Sequence, residues 1–144
     1  MQANLRSLFG KLNPATRAAM EAAAGLCVAR TNYDVEVEHL LIKLIDTVDT
    51  DCALILRHAE LDNSRLVTQL NRSVDRFKRG NGRTPAFSPD LLDLITHAWT
   101  IASLDFQADQ IRTGYVIMAL LADDKLARTV FELVPDFRKL SLED

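Results

Sequence analysis

Glu36, Glu38 and His39, within EVEHLLIKLI at residues 36–45, bring two carboxylates and an imidazole to the head of an apolar run. Those groups could move protons if a substrate met them in a cleft. A zinc ion would need three or four converging ligands, and His58 and His97 stand at i, i+4 neither from each other nor from His39, and neither neighbours a cysteine. No metal site is expected. Cys27 could act as a nucleophile only with a base in reach, and its place on the apolar side of a helical segment reads as a core thiol. Gly10-Lys11 lacks both the glycine five residues earlier and the following Ser or Thr of a phosphate loop, so no ATP site of that type is present.

The elements that hold these residues emerge from an internal repeat. Leu12-Asn13-Pro14 is echoed by Phe87-Ser88-Pro89, each an apolar residue, a good N-cap and a proline at the first helical position. Apolar residues then recur at helical spacing in both copies. After a one-residue insertion, Val35 aligns with Ile111, Leu40 with Val116, Leu41 with Ile117, Leu44 with Leu120, Leu61 with Phe137 and Leu66 with Leu142.

The periodicity predicts helices over 13–30, 36–47, 51–59 and 63–76 in the first copy, and over 88–104, 112–122, 125–133 and 136–142 in the second. The expected fold is all-α: a duplicated four-helix repeat of about eight helices with pseudo-two-fold symmetry, the copies covering each other's apolar faces. Residues 1–11 are an extra helical extension without a counterpart, and 12–144 the duplicated domain, with repeat one at 12–76, a linker at 77–86 and repeat two at 87–144. The Gly-Asn-Gly and Thr-Pro of that linker predict a loose connection.

The repeat also weighs the opening cluster. The position of His39 is held by Tyr115 in the second copy, and a tyrosine can replace an imidazole in packing or capping but not as a metal ligand. His39 is therefore expected to make a helix-start hydrogen bond to a backbone carbonyl, with Glu36 and Glu38 favouring the positive end of the helix dipole. An enzyme using Glu36, Glu38 and His39 as acid and base is the reading this disfavours.

Composition agrees with a helical protein: 48% hydrophobic, 26% charged, five Gly and four Pro. A net charge of -3 gives no reason to expect nucleic acid or an anionic membrane, and no apolar run approaches the ~18 residues needed to cross a bilayer. The basic residues Arg65, Arg72, Arg76, Lys78, Arg79 and Arg83 read as a solvated helix end entering the linker. Cys27 and Cys52 lie far from any CxxC spacing, which predicts a reduced, cytoplasmic protein. Trp99, Phe106, Tyr33 and Tyr115 could anchor a partner or fill the core.

Two copies with Leu12-Asn13-Pro14 and Phe87-Ser88-Pro89 starts, Glu38-His39-Leu40-Leu41 in one and Ile111 through Leu121 in the other, resemble the N-terminal domain of the Clp family of AAA+ unfoldases. Leu8-Phe9-Gly10-Lys11-Leu12-Asn13 and Ile111-Arg112-Thr113-Gly114-Tyr115 are most similar to the branch that serves bacterial type VI secretion. The resemblance implies a recognition domain that catalyses nothing itself, cytoplasmic and monomeric alone, from a hexameric protein whose further domains would bind ATP and Mg. It implies a helix of the large sheath subunit as protein partner, held in an apolar groove so that contracted sheath can be disassembled. A general Clp N-domain docking adaptors or unfolded clients is the alternative. The expected groove residues are Leu5, Leu8, Phe9 and Leu12 of the extension, facing Ala19, Ala22, Ala23 and Leu26.

Overall fold

In a computed structural model that describes residues 5–140, short helix α1 (Leu5–Gly10) precedes α2 (Pro14–Ala29), α3 (Val37–Ile45), α4 (Asp51–His58) and α5 (Asn63–Val74). The second half carries α6 (Pro89–Thr100), α7 (Thr113–Ala122) and α8 (Asp124–Leu133), and ends in a 3₁₀ turn at Pro135–Lys139. The helix starts are written in the sequence. Asn13, Thr50, Asp62, Ser88 and Asp123 each accept a backbone N–H with the side chain, satisfying a donor the first turn leaves orphaned.

Helix α3 is the hub, packed against α2, α4, α5 and α6, with Leu40, Leu41 and Leu44 wholly buried. Its apolar character on nearly every side follows from that position, since a helix covered all round has no solvent face to make polar. Truncating one of these leucines to alanine would cost about 2–5 kcal/mol.

The halves are joined by the same contact made twice. Strand β1 (Asp34–Val35) pairs in parallel with β2 (Ala86–Phe87), and Leu12 forms a parallel bridge with Ile111. At the sequence offsets of the repeat, Leu12 corresponds to Phe87 and Val35 to Ile111. The Ser88 N–H donates to the Val35 carbonyl at 2.9 Å, and the Asn13 N–H to the Ile111 carbonyl at 2.9 Å. Each copy thus leads into its first long helix along the edge of the other.

Three details differ from the sequence expectation. The helix expected to 104 changes to a π turn at Ile101–Asp105, where the Ser103 hydroxyl donates to the Trp99 carbonyl at 2.7 Å, following Thr96 on Leu92 and Thr100 on Thr96. Such back-bonding competes with the helix ladder. The helix expected over 136–142 is a 3₁₀ turn at Pro135–Lys139, and the part over 141–142 lies outside the described residues. The linker is not loose. Gly80 and Asn81 donate backbone N–H groups to the Thr31 hydroxyl and carbonyl, and the Asn32 amide donates to the Lys78 carbonyl, so the connection is pinned to the end of α2.

Candidate functional site

The opening cluster is structural. The Glu36 N–H donates to His39 Nδ1 at 2.9 Å while the Glu36 carboxylate takes the His39 backbone N–H, a reciprocal capping box at the start of α3. Because Nδ1 accepts, Nε2 carries the proton and donates to the Asn32 side-chain oxygen at 3.0 Å. The expected partner was a carbonyl; the observed one is the Glu36 N–H, since a helix start leaves N–H donors, not carbonyls, without intrahelical partners. His39 is wholly buried under the Phe77 ring, and burial, aided by the Arg30 charge, pushes its imidazole down to about 4. Burial also raises Glu36 and Glu38 above the ordinary carboxylate range, and Glu38 accepts from the Ser73 hydroxyl. No group of three potential metal ligands occurs among the described residues. Cys27 and Cys52 are both buried and unpaired.

An apolar groove of about 640 Å³ opens between α1 and α2. In α1, Leu8 turns inward and is buried, which anchors the helix against α6 and leaves Phe9 facing the groove. The Phe9 ring meets Phe87 edge-on at 5.2 Å, and the Arg17 guanidinium donates to the Phe9 carbonyl at 3.1 Å. The opposite wall is Met20 and Ala24 of α2, and Arg6 from α1 with Arg17 and Glu21 from α2 line the groove with charge. Small Ala24 keeps this wall low.

Of the residues expected here, Phe9 and Leu12 line the groove. Leu8, Ala19 and Ala23 are sealed in the core behind it, Leu5 and Ala22 are exposed, and Leu26 is half-buried; none of these five and Leu26 is part of the lining. The α2 wall runs Arg17, Met20, Glu21, Ala24, the expected spacing begun two residues earlier than Ala19. At 100° per residue this turns the face by about 200°. A search for apolar stripes passes over a wall containing Arg17 and Glu21, and Phe87 arrives from the other copy.

A second hollow of about 390 Å³ lies on α7, lined by Tyr115, Met118, Leu121, Ile55 and exposed Phe106, whose ring lies 5.3 Å from Tyr115. The equivalent face of α3 is covered by α5. The bidentate Arg112–Asp51 pair, at 2.7 Å for each bond, closes one end. Trp99 is half-buried with the Lys11 ammonium 5.0 Å above its ring, and Tyr33 is exposed with Lys78 over its face.

The described residues form a duplicated all-helical domain whose two halves are cross-paired at their edges. The sequence profile of the Clp repeat (R) N-terminal domain matches residues 11–133, and the chain belongs to that family. It is similar to the AAA+ ATPase ClpV1 of Pseudomonas aeruginosa, 33% identical over 95% of this chain and 15% of that protein. It superimposes on the N-domain of ClpV from Vibrio cholerae with a TM-score of 0.87 at 29% identity, covering 99% of this chain and 85% of that one. A complex of the ClpV N-domain with a VipB peptide matches with a TM-score of 0.82 at 30% identity, over 99% and 87% of the two chains. The chain thus corresponds to the non-catalytic N-domain and spans about a seventh of the curated relative's length. No helix among the described residues is long and apolar enough to cross a membrane.

Proposed function

We propose that this chain is the sheath-recognition domain of a ClpV-type unfoldase of type VI secretion, and that the groove between α1 and α2 takes a helix of the large sheath subunit. The observation that carries the reading is the groove itself: an apolar trough built by an extension that the repeat does not contain, walled by Phe9, Met20, Ala24 and Phe87. An amphipathic helix fits such a trough by seating anchors at i, i+3, i+4 and i+7. The complex of a related N-domain with a VipB peptide supports the partner class. In the longer protein, ATP and Mg would act in separate ring domains of a cytoplasmic hexamer, which pull on sheath that this domain has caught.

Titration calorimetry with synthetic helical peptides of the large sheath subunit tests the reading. Ala24→Arg, a swap between good helix formers, fills the trough and should abolish binding while far-UV circular dichroism stays unchanged. Ala24→Leu, which fills it without charge, should weaken binding at least tenfold. Leu8→Asp is not a surface probe, because Leu8 is 6% exposed and its substitution would unfold α1. Unaltered binding to both Ala24 variants would refute the groove.

A further inference from the structure

The repeat explains why the groove is open, and that explanation names its guest more closely. At the offset of 75, α2 wall residues Arg17, Glu21 and Ala24 correspond to Leu92, Thr96 and Trp99 of α6. That flank of α6 is not bare: α1 lies against it, Leu8 is buried, and Lys11 extends over the Trp99 ring at 5.0 Å. The pseudo-two-fold counterpart of α1 would be residues 80–85. Those residues form no helix and are instead tied to Thr31 and Asn32, beyond the end of α2. The flank of α2 therefore lacks the cover that α1 gives to α6, and the trough is the place where that cover would lie. Its floor, Leu12 and Phe87, is the pair of residues that the repeat exchanges.

We infer that the guest helix stands in for the missing second copy of α1, so that α1 is an internal mimic of the partner. This rests on the groove reading above and adds to it a sequence rule. The guest carries large apolar residues where α1 carries Leu8, buried against α6, and Phe9, which faces the trough. Arg6 and Arg17 outnumber Glu21 along the trough, so an acidic residue takes the place that Arg6 holds in α1.

The probe is a fluorescent peptide of residues 1–13 of this chain, native and with Arg6→Glu, followed by anisotropy against the intact domain at low salt. Both peptides saturate, the Arg6→Glu peptide binds at least threefold tighter, Ala24→Arg removes both, and unlabelled sheath helix displaces them. A sheath helix that binds while neither peptide does overturns the mimicry and leaves the proposed function standing. Binding of the native peptide as tight as that of Arg6→Glu overturns the charge rule. Failure of all three ligands overturns the groove reading and the mimicry together.

Discussion

His39 makes the domain sensitive to mild acid, and the size of the effect follows from its surroundings. Its neutral ring accepts the Glu36 N–H and donates to Asn32; a proton on Nδ1 would break the cap and bury a charge beneath Phe77. The imidazole falls from 6.5 to about 4 in the fold. A folded value below the unfolded one means that the stabilisation is complete above pH 6.5 and is lost as pH falls from there towards 4. At about 1.4 kcal/mol per unit the whole loss is about 3 kcal/mol, of which about 2 kcal/mol is gone at pH 5. Glu36 and Glu38 are raised and carry the opposite sign, gaining as pH falls, so the imidazole is isolated by comparison with a variant that lacks it, over the window from pH 7 to 5. Urea unfolding at pH 7, 6 and 5 measures this directly. His39→Gln keeps an acceptor for the Glu36 N–H and a donor for Asn32 but cannot titrate in the window. It should flatten the pH dependence by about 2 kcal/mol. If His39→Gln loses stability between pH 7 and 5 as steeply as the native protein, the assignment of the acid response to His39 is wrong.

Two glycines should respond oppositely to added atoms. A Cβ on Gly114 would lie 2.9 Å from the Cβ of Asp51, so Gly114→Val forces α4 from α7, disturbs the Arg112 pair and costs about 1–3 kcal/mol, read as a lower Tm. Gly25 in α2 has open space around it, and Gly25→Ala should stabilise by up to about 1 kcal/mol. Cys27 and Cys52 are wholly buried, and burial pushes the Cys52 thiol up to about 12, so neither should react with a disulfide reagent until denaturant is added. Native-state labelling at the rate of a free thiol would contradict that burial.

The helical architecture was legible because its signals are local. Asn13-Pro14 and Ser88-Pro89 announce their helices through caps, and Leu40, Leu41 and Leu44 declare a buried helix by spacing alone. What the sequence hid depends on through-space partners. Asn32 looks like a loop residue, yet it receives His39 and holds Lys78, which turns a Gly-Asn-Gly connection from loose to pinned. Thr113 looks like a helix cap, yet its hydroxyl accepts the Cys52 N–H across 61 positions of sequence at 3.0 Å. For the groove, Phe9 and Leu12 were readable from the unmatched extension. Met20 and Ala24 were not, because Arg17 and Glu21 share their face and mask its apolar floor, and because Phe87 reaches it only through the pairing of the two halves.

That exchange of edges has a kinetic consequence. Two separate half-chains could make the Leu12–Ile111 and Val35–Phe87 contacts only by meeting in solution, at a rate set by how many there are. Joining them through the ten residues 77–86 confines one half within reach of the other at an effective concentration on the order of millimolar, so a second-order encounter becomes a first-order closure. Assembly of this domain is thereby independent of how much of it a cell makes.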